Sequence, residues 1–169
     1  MTTAKFLHKE IRFPDRDEAD KSVIREIFFW REYRAAEELI AKAKTIVDVG
    51  AHLGVFSTYV SLLNPLAKVY ALEPEPDNFS KLKETIKMNN FPGIKILAQA
   101  LARDDGPREL FIAPDSINHS LLFSDSAETI KISAISLSSL IKKTGEIDVL
   151  KMDIEGGEYE LLDNWQAVD

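Results

Sequence analysis

Short apolar runs alternate with longer stretches of helical periodicity along residues 45–98, and this alternation constrains the fold more than any other feature. Thr45-Ile46-Val47-Asp48-Val49 is brief, rich in β-branched residues and closes at Gly50. Such a run fits a strand buried on both faces. Residues 68–73 form a second run, closed by Pro74, and residues 94–98 a third. Between the first two, Val55, Phe56, Tyr59, Val60 and Leu63 share one helical face, and Asn64-Pro65 stops that helix. Between the second and third, a helix starts near Pro76 or Asp77, turns Phe79, Leu82 and Ile86 inward, and ends at Asn89-Asn90-Phe91-Pro92-Gly93. Strand, helix, strand, helix, strand predicts an α/β fold with a mostly parallel sheet and right-handed crossovers.

The flanks are less regular. Residues 1–20 are polar and hold one proline, so they read as an N-terminal arm or loop, with His8 in it, before a single domain over 21–169. Val23, Ile24, Ile27 and Phe28, then Leu39 and Ile40, predict one or two helices between 20 and 43. Asp104-Asp105-Gly106-Pro107 is a turn, residues 108–112 and 130–134 are strands, and 114–128 is a polar loop between them. Residues 136–143 fit a short helix ending at Gly145. Residues 147–153 form a fourth parallel strand, and a helix starts near Glu158.

Composition narrows the class of function. A chain of 169 residues fits one domain, and a hydrophobic fraction of 45% supplies a core. The formal net charge of -7 argues against a general nucleic-acid binder, which needs excess Lys and Arg to neutralise phosphates. Without cysteine there is no disulfide, thiolate metal site or thiol nucleophile. The first 20 residues have no apolar core for a signal peptide, and no uncharged run approaches the ~20 residues needed to span a bilayer. The expectation is a soluble cytoplasmic protein with neither nucleic-acid nor membrane partners.

The candidate chemistry sits where strands end. Asp48-Val49-Gly50-Ala51-His52-Leu53-Gly54 joins a strand to a helix. Gly50 lets the backbone turn and approach a ligand, and the helix start offers N–H groups. The run resembles a dinucleotide fingerprint, but His52 stands where that pattern needs glycine for a pyrophosphate to pass. A ligand without phosphate, such as S-adenosylmethionine, does not need the gap. Asp48 is placed to meet a ligand ammonium, and Glu73, 19 residues after Gly54, to accept hydrogen bonds from both ribose hydroxyls. Asp48, Gly50, Ala51, His52, Gly54, Glu73 and Pro74 are therefore the cofactor-binding candidates. Asp153 and Glu155 end the fourth strand and should face the same crevice, outside the carboxyl ends of the strands. Tight turns and helix capping account for each feature taken alone.

The runs TIVDVGAHLG, ALEPEPDNFSKLKETIKMNN and VLKMDIEGGEYELL, in this order, resemble the FkbM-type methyltransferases over about residues 23–165. VIREIFFWREY, before the first strand, looks like the leader helices of that family. The resemblance implies a Rossmann-like class I fold and S-adenosylmethionine-dependent O-methylation of a sugar or natural-product hydroxyl. It also implies that Asp48, Gly50 and Glu73 are cofactor positions and that Lys151, Asp153 and Glu155 line the reaction site. His119 departs from the family pattern. The catalytic candidates are Asp153, Glu155 and His119, each able to serve as general base. A divalent cation on Asp153 and Glu155 ranks below the base role, and no histidine pair has zinc-ligand spacing. Phe28, Phe29, Trp30 and Tyr33 are candidates for a substrate mouth or for plain core.

The rival readings are a nicotinamide-dependent oxidoreductase and a non-catalytic binding module of the same fold. The implied fold has seven strands with a closing antiparallel pair, whereas four parallel strands, in the order 3-2-1-4, are legible here. The expectation is a C-terminally incomplete domain whose apolar fourth strand is an edge, covered by a second copy in a homo-oligomer or left bare by truncation, with weak methyl transfer.

Overall fold

The computed structural model describes residues 1–112 and 128–154. Glu155, His119, most of the polar loop and the helix expected near Glu158 lie outside the described residues.

The chain opens with an antiparallel hairpin, β1 (Thr2–Phe6) and β2 (Lys9–Phe13), turned by Leu7 and His8 at positive φ. Residues expected to be an arm or loop are thus a paired element, and His8 sits at its tip. Ala4, Ile11 and Phe13 are buried in the main core, which supplies the stability an isolated hairpin lacks. Helix α1 (Glu18–Ile24) starts at Asp17, whose side chain accepts from the Asp20 N–H, and runs on as a π-helical turn over Arg25–Phe29. A 3₁₀ turn over Glu32–Ala36 leads into α2 (Glu37–Lys42).

The expected βαβαβ unit follows: β3 (Thr45–Val49), α3 (Val55–Leu63), β4 (Lys68–Leu72), α4 (Pro76–Asn89) and β5 (Ile94–Leu97). Then come β6 (Ala100–Ala102), β7 (Gly106–Phe111), β8 (Thr129–Ser136), α5 (Leu137–Thr144) and β9 (Val149–Met152). The main sheet runs β5-β4-β3-β9 and is parallel throughout, the order expected from the sequence. A smaller sheet, β6-β8-β7, pairs β6 parallel and β7 antiparallel to β8. Strand β6, only three residues long, was not expected.

Strand alternation splits the packing in two. Ile46, Val69 and Ala71 face α3, α4 and the N-terminal hairpin. Val47, Val49, Tyr70 and Leu72 face Leu101, Ile135 and Leu140 on the other side. Helix α3 is buried almost all round rather than on one stripe, because the hairpin and leader helices cover its outer face. Phe6 and Phe28 pack their rings on Tyr59 at 4.9 and 5.6 Å between centroids. Among the described residues no helix is long and apolar enough to cross a membrane.

Candidate functional site

A cavity of about 260 Å³ opens at the carboxyl ends of β3, β4 and β9. Gly50, Ala51 and His52 wall it after β3, Glu73 and Pro74 after β4, and Lys151, Asp153 and Ile154 at the end of β9. Val23, Glu26, Ile27, Glu32 and Tyr33 close it from the leader segment, and Gln99, Ala100 and Leu101 from the far side. Three sequence blocks separated by about 20 and 80 residues therefore meet in one place, as the parallel topology requires.

Glycine at position 50 is demanded by the protein's own backbone. Its φ is +72°, and a Cβ there would lie 2.0 Å from the carbonyl oxygen of Asp153. Gly54 has φ +80°, and a Cβ would press on Leu82 at 2.6 Å. Four N–H groups of the Gly50–Gly54 loop are spent internally. Gly50 and Ala51 donate to the Leu72 carbonyl, His52 to Glu73 Oε2 at 2.8 Å, and Gly54 to the Ala51 carbonyl. Gly54 does not line the cavity; it lets α3 start against α4.

Glu73 is 5% exposed and accepts from the N–H groups of His52 and Glu75. Burial pushes its carboxyl up to about 7, partly countered by those two bonds, while the charges of Glu75 and Asp48 push further up. Glu75 caps α4 by accepting from the N–H groups of Asp77 and Asn78, ahead of Pro76 in the first turn.

Asp48 is placed differently from the expected ammonium contact. It occupies the same sheet face as Ile46, under α3, where Ser57 donates to its Oδ2 at 2.7 Å. It is fully buried and does not line the cavity. Its Oδ1 lies 3.2 Å from Lys151 Nζ, the residue beside it in the β3–β9 register. Lys151 Nζ also donates to the Gly50 carbonyl at 3.1 Å and lies 3.7 Å from Asp153 Oδ2. Burial pulls the Lys151 ammonium down, but Asp48 and Asp153 more than offset it, and its pKa stands above the ordinary value. Asp153 itself is 68% exposed at the cavity mouth. Among the described residues no three His, Asp or Glu side chains gather as a metal site would require.

The leader segment contributes what sequence reading did not supply. Asp20 on α1 is fully buried and accepts from the Arg16 backbone N–H at 2.6 Å and from its guanidinium. His52 Nε2 lies 2.8 Å from Asp20 Oδ1. Arg16 also donates to Asn78 Oδ1. The only legible signal was Asp17 three residues before Asp20, which marks a helix start and not a site. Tyr33 stacks edge-on to Phe56 at the cavity wall, while Phe29 and Trp30 are exposed and Phe28 is core.

The family model described as Methyltransferase FkbM domain matches residues 48–168. Among curated relatives, Methyltransferase 1 of Beauveria bassiana is 24% identical, over 73% of this chain and 61% of its own length. The hexuronic acid methyltransferase AglP of Haloferax volcanii is 29% identical, over 82% and 60%. The 31-O-demethyl-FK506 methyltransferase FkbM of Streptomyces tacrolimicus is 25% identical, over 86% and 68%. The chain thus spans about 60% of the length of the first two. A crystal structure of a methyltransferase FkbM from Methylobacillus flagellatus superposes with a TM-score of 0.51 at 18% identity, covering 75% of this chain and 30% of that one. That likeness shows the fold, which is Rossmann-like and of the class I methyltransferase type.

Proposed function

This chain belongs to the FkbM methyltransferase family, and we propose that its cavity binds S-adenosylmethionine for transfer of the methyl group to a hydroxyl of a sugar or small natural product. The observation that carries the reading is Glu73, a carboxylate buried at the wall of a cavity where two strand-end loops converge. A ribose hydroxyl offers a donor to this carboxylate, and charge-assisted bonds of this kind are the strong ones. The Gly50–Gly54 loop has committed four N–H groups within the protein, which suits a ligand without pyrophosphate better than a dinucleotide. Pro74 and Ala51 supply apolar wall on either side of Glu73.

When bound, S-adenosylmethionine supplies a methyl group on a positive sulfur that departs as a neutral thioether once an acceptor oxygen takes the methyl. The protein aligns acceptor and donor and keeps water out. Asp153, exposed at the mouth, takes the hydroxyl proton as general base. Lys151, 3.7 Å away, holds that carboxylate in place and disfavours a divalent cation beside it. Asp48 acts through Lys151 rather than on the ligand. Glu155 and His119 remain candidates for the base by sequence alone. β9, which pairs only with β3 among the described residues, is the edge a second copy would cover, and sedimentation tests that.

The test is calorimetry with S-adenosylhomocysteine and NAD, followed by a labelled-methyl screen over hydroxylated acceptors. The first ligand should bind and the second should not. Glu73→Ala should weaken binding by roughly 1.5–3 kcal/mol. Asp153→Asn should leave binding intact and cut turnover roughly 10²–10⁴-fold. NAD binding with no response to S-adenosylhomocysteine would remove the reading.

A further inference from the structure

His52 holds a backbone conformation that non-glycine residues seldom adopt, with φ +52°. Its N–H is fixed on Glu73 Oε2 and its ring on Asp20. A carboxylate oxygen and a bare imidazole nitrogen 2.8 Å apart would repel, so the proton of a neutral ring sits on Nε2, facing Asp20 Oδ1. The Arg16 guanidinium, 3.3 Å from the same nitrogen, is already engaged by Asp20 and Asn78. That leaves Nδ1 as an acceptor. It is buried and has no hydrogen-bond partner among the described residues, on a residue that lines the cavity beside Glu73. A buried polar atom left without a partner is costly, because it has lost its water and gained nothing in exchange. A ligand donor relieves that cost, and the carboxylate on the same wall fits the same ribose.

We propose that His52 is a ligand-binding residue whose Nδ1 accepts a hydrogen bond from one ribose hydroxyl, and that Asp20, on a helix ahead of the family-matched residues, is the positioning residue that sets its tautomer. The assignment rests on the cofactor reading above. It makes the leader helix part of the nucleoside site rather than a cover for the core. Glu73 and His52 then divide the diol, one taking a hydroxyl on a charged acceptor and the other on a neutral one.

The test uses the full chain with S-adenosylhomocysteine and its 2′-deoxy and 3′-deoxy analogues. His52→Ala should weaken the ribose form about tenfold, the size of one hydrogen bond, and barely change the affinity of the analogue that lacks the partnered hydroxyl. In ¹⁵N-labelled wild type at pH 8, the His52 ring should show a protonated Nε2 and a bare Nδ1 whose signal moves when S-adenosylhomocysteine is added. This second measurement needs no variant to fold. Asp20→Asn should shift the ring towards the opposite tautomer, which loss of packing alone would not do. If wild type binds none of the three ligands, the cofactor reading falls and this assignment with it. If wild type binds and His52→Ala weakens all three equally, or none, or if Nδ1 carries the proton or stays unmoved, the His52 assignment alone is overturned.

Discussion

Replacing Gly50 by alanine should damage the protein through its own backbone before any ligand is considered. A Cβ at φ +72° would sit 2.0 Å from the Asp153 carbonyl oxygen, and contacts under 3.0 Å are essentially never seen. The end of β9 must therefore move by about 1 Å, the difference between those two distances. Left-handed backbone costs a non-glycine residue roughly 1–2 kcal/mol. Displacing Asp153 strains the bond from its N–H to the Val49 carbonyl, at 3.2 Å, worth roughly 1 kcal/mol. It also loosens Lys151 from Asp48, a buried pair whose disruption costs roughly 3–5 kcal/mol if complete. Gly145 provides the control, because it too has positive φ, at +81°, but nothing lies within 4 Å of its would-be Cβ. Gly145→Ala should cost backbone strain alone, roughly 1–3 kcal/mol. Urea denaturation of both variants should show Gly50→Ala worse by at least roughly 2 kcal/mol, the sum of the bond and part of the ion pair. Hydrogen exchange at the Asp153 amide should accelerate in Gly50→Ala only. Equal destabilisation, with Asp153 exchange unchanged, would refute the claim that the strand end packs on this glycine.

Two further outcomes follow from buried charge. The Glu73 carboxyl, about 7 folded against 4.5 unexposed to the fold, keeps its proton longer in the native state, so its contribution to stability falls as pH rises from 4.5 through 7. Glu73→Gln removes that titration, and its stability relative to wild type should rise by roughly 2–3 kcal/mol between pH 5 and pH 8, whatever its pH-independent cost; a flat difference in urea melts would contradict the burial argument. Lys151→Met leaves Asp48 buried without its ammonium and should destabilise by roughly 3–5 kcal/mol, while Asp48→Asn added to it should recover much of the loss; additive losses in thermal and chemical melts would show that the two do not act as a pair.

The sequence alone determined the parallel βαβαβ unit and its strand order. Thr45–Val49, Lys68–Leu72 and Ile94–Leu97 are short apolar runs separated by helices with legible stops, and local periodicity suffices to find such elements. It also placed Glu73, Pro74, Gly50, Ala51, His52, Lys151 and Asp153 at strand ends, which the topology gathers around one cavity. The hairpin escaped because Leu7-His8 carries no glycine or asparagine to mark its turn, and only the core beneath Phe13 makes the pairing stable. Asp48 was misplaced because an acid one residue before a strand end looks available to a ligand; strand alternation turns it under α3, and the register with β9 then gives it Lys151 as a partner. The pairing of Asp20 with His52 lies 32 positions apart with no shared motif. Such a contact arises only when the leader helix packs over the loop after β3, since tertiary structure alone decides which distant side chains leave water together.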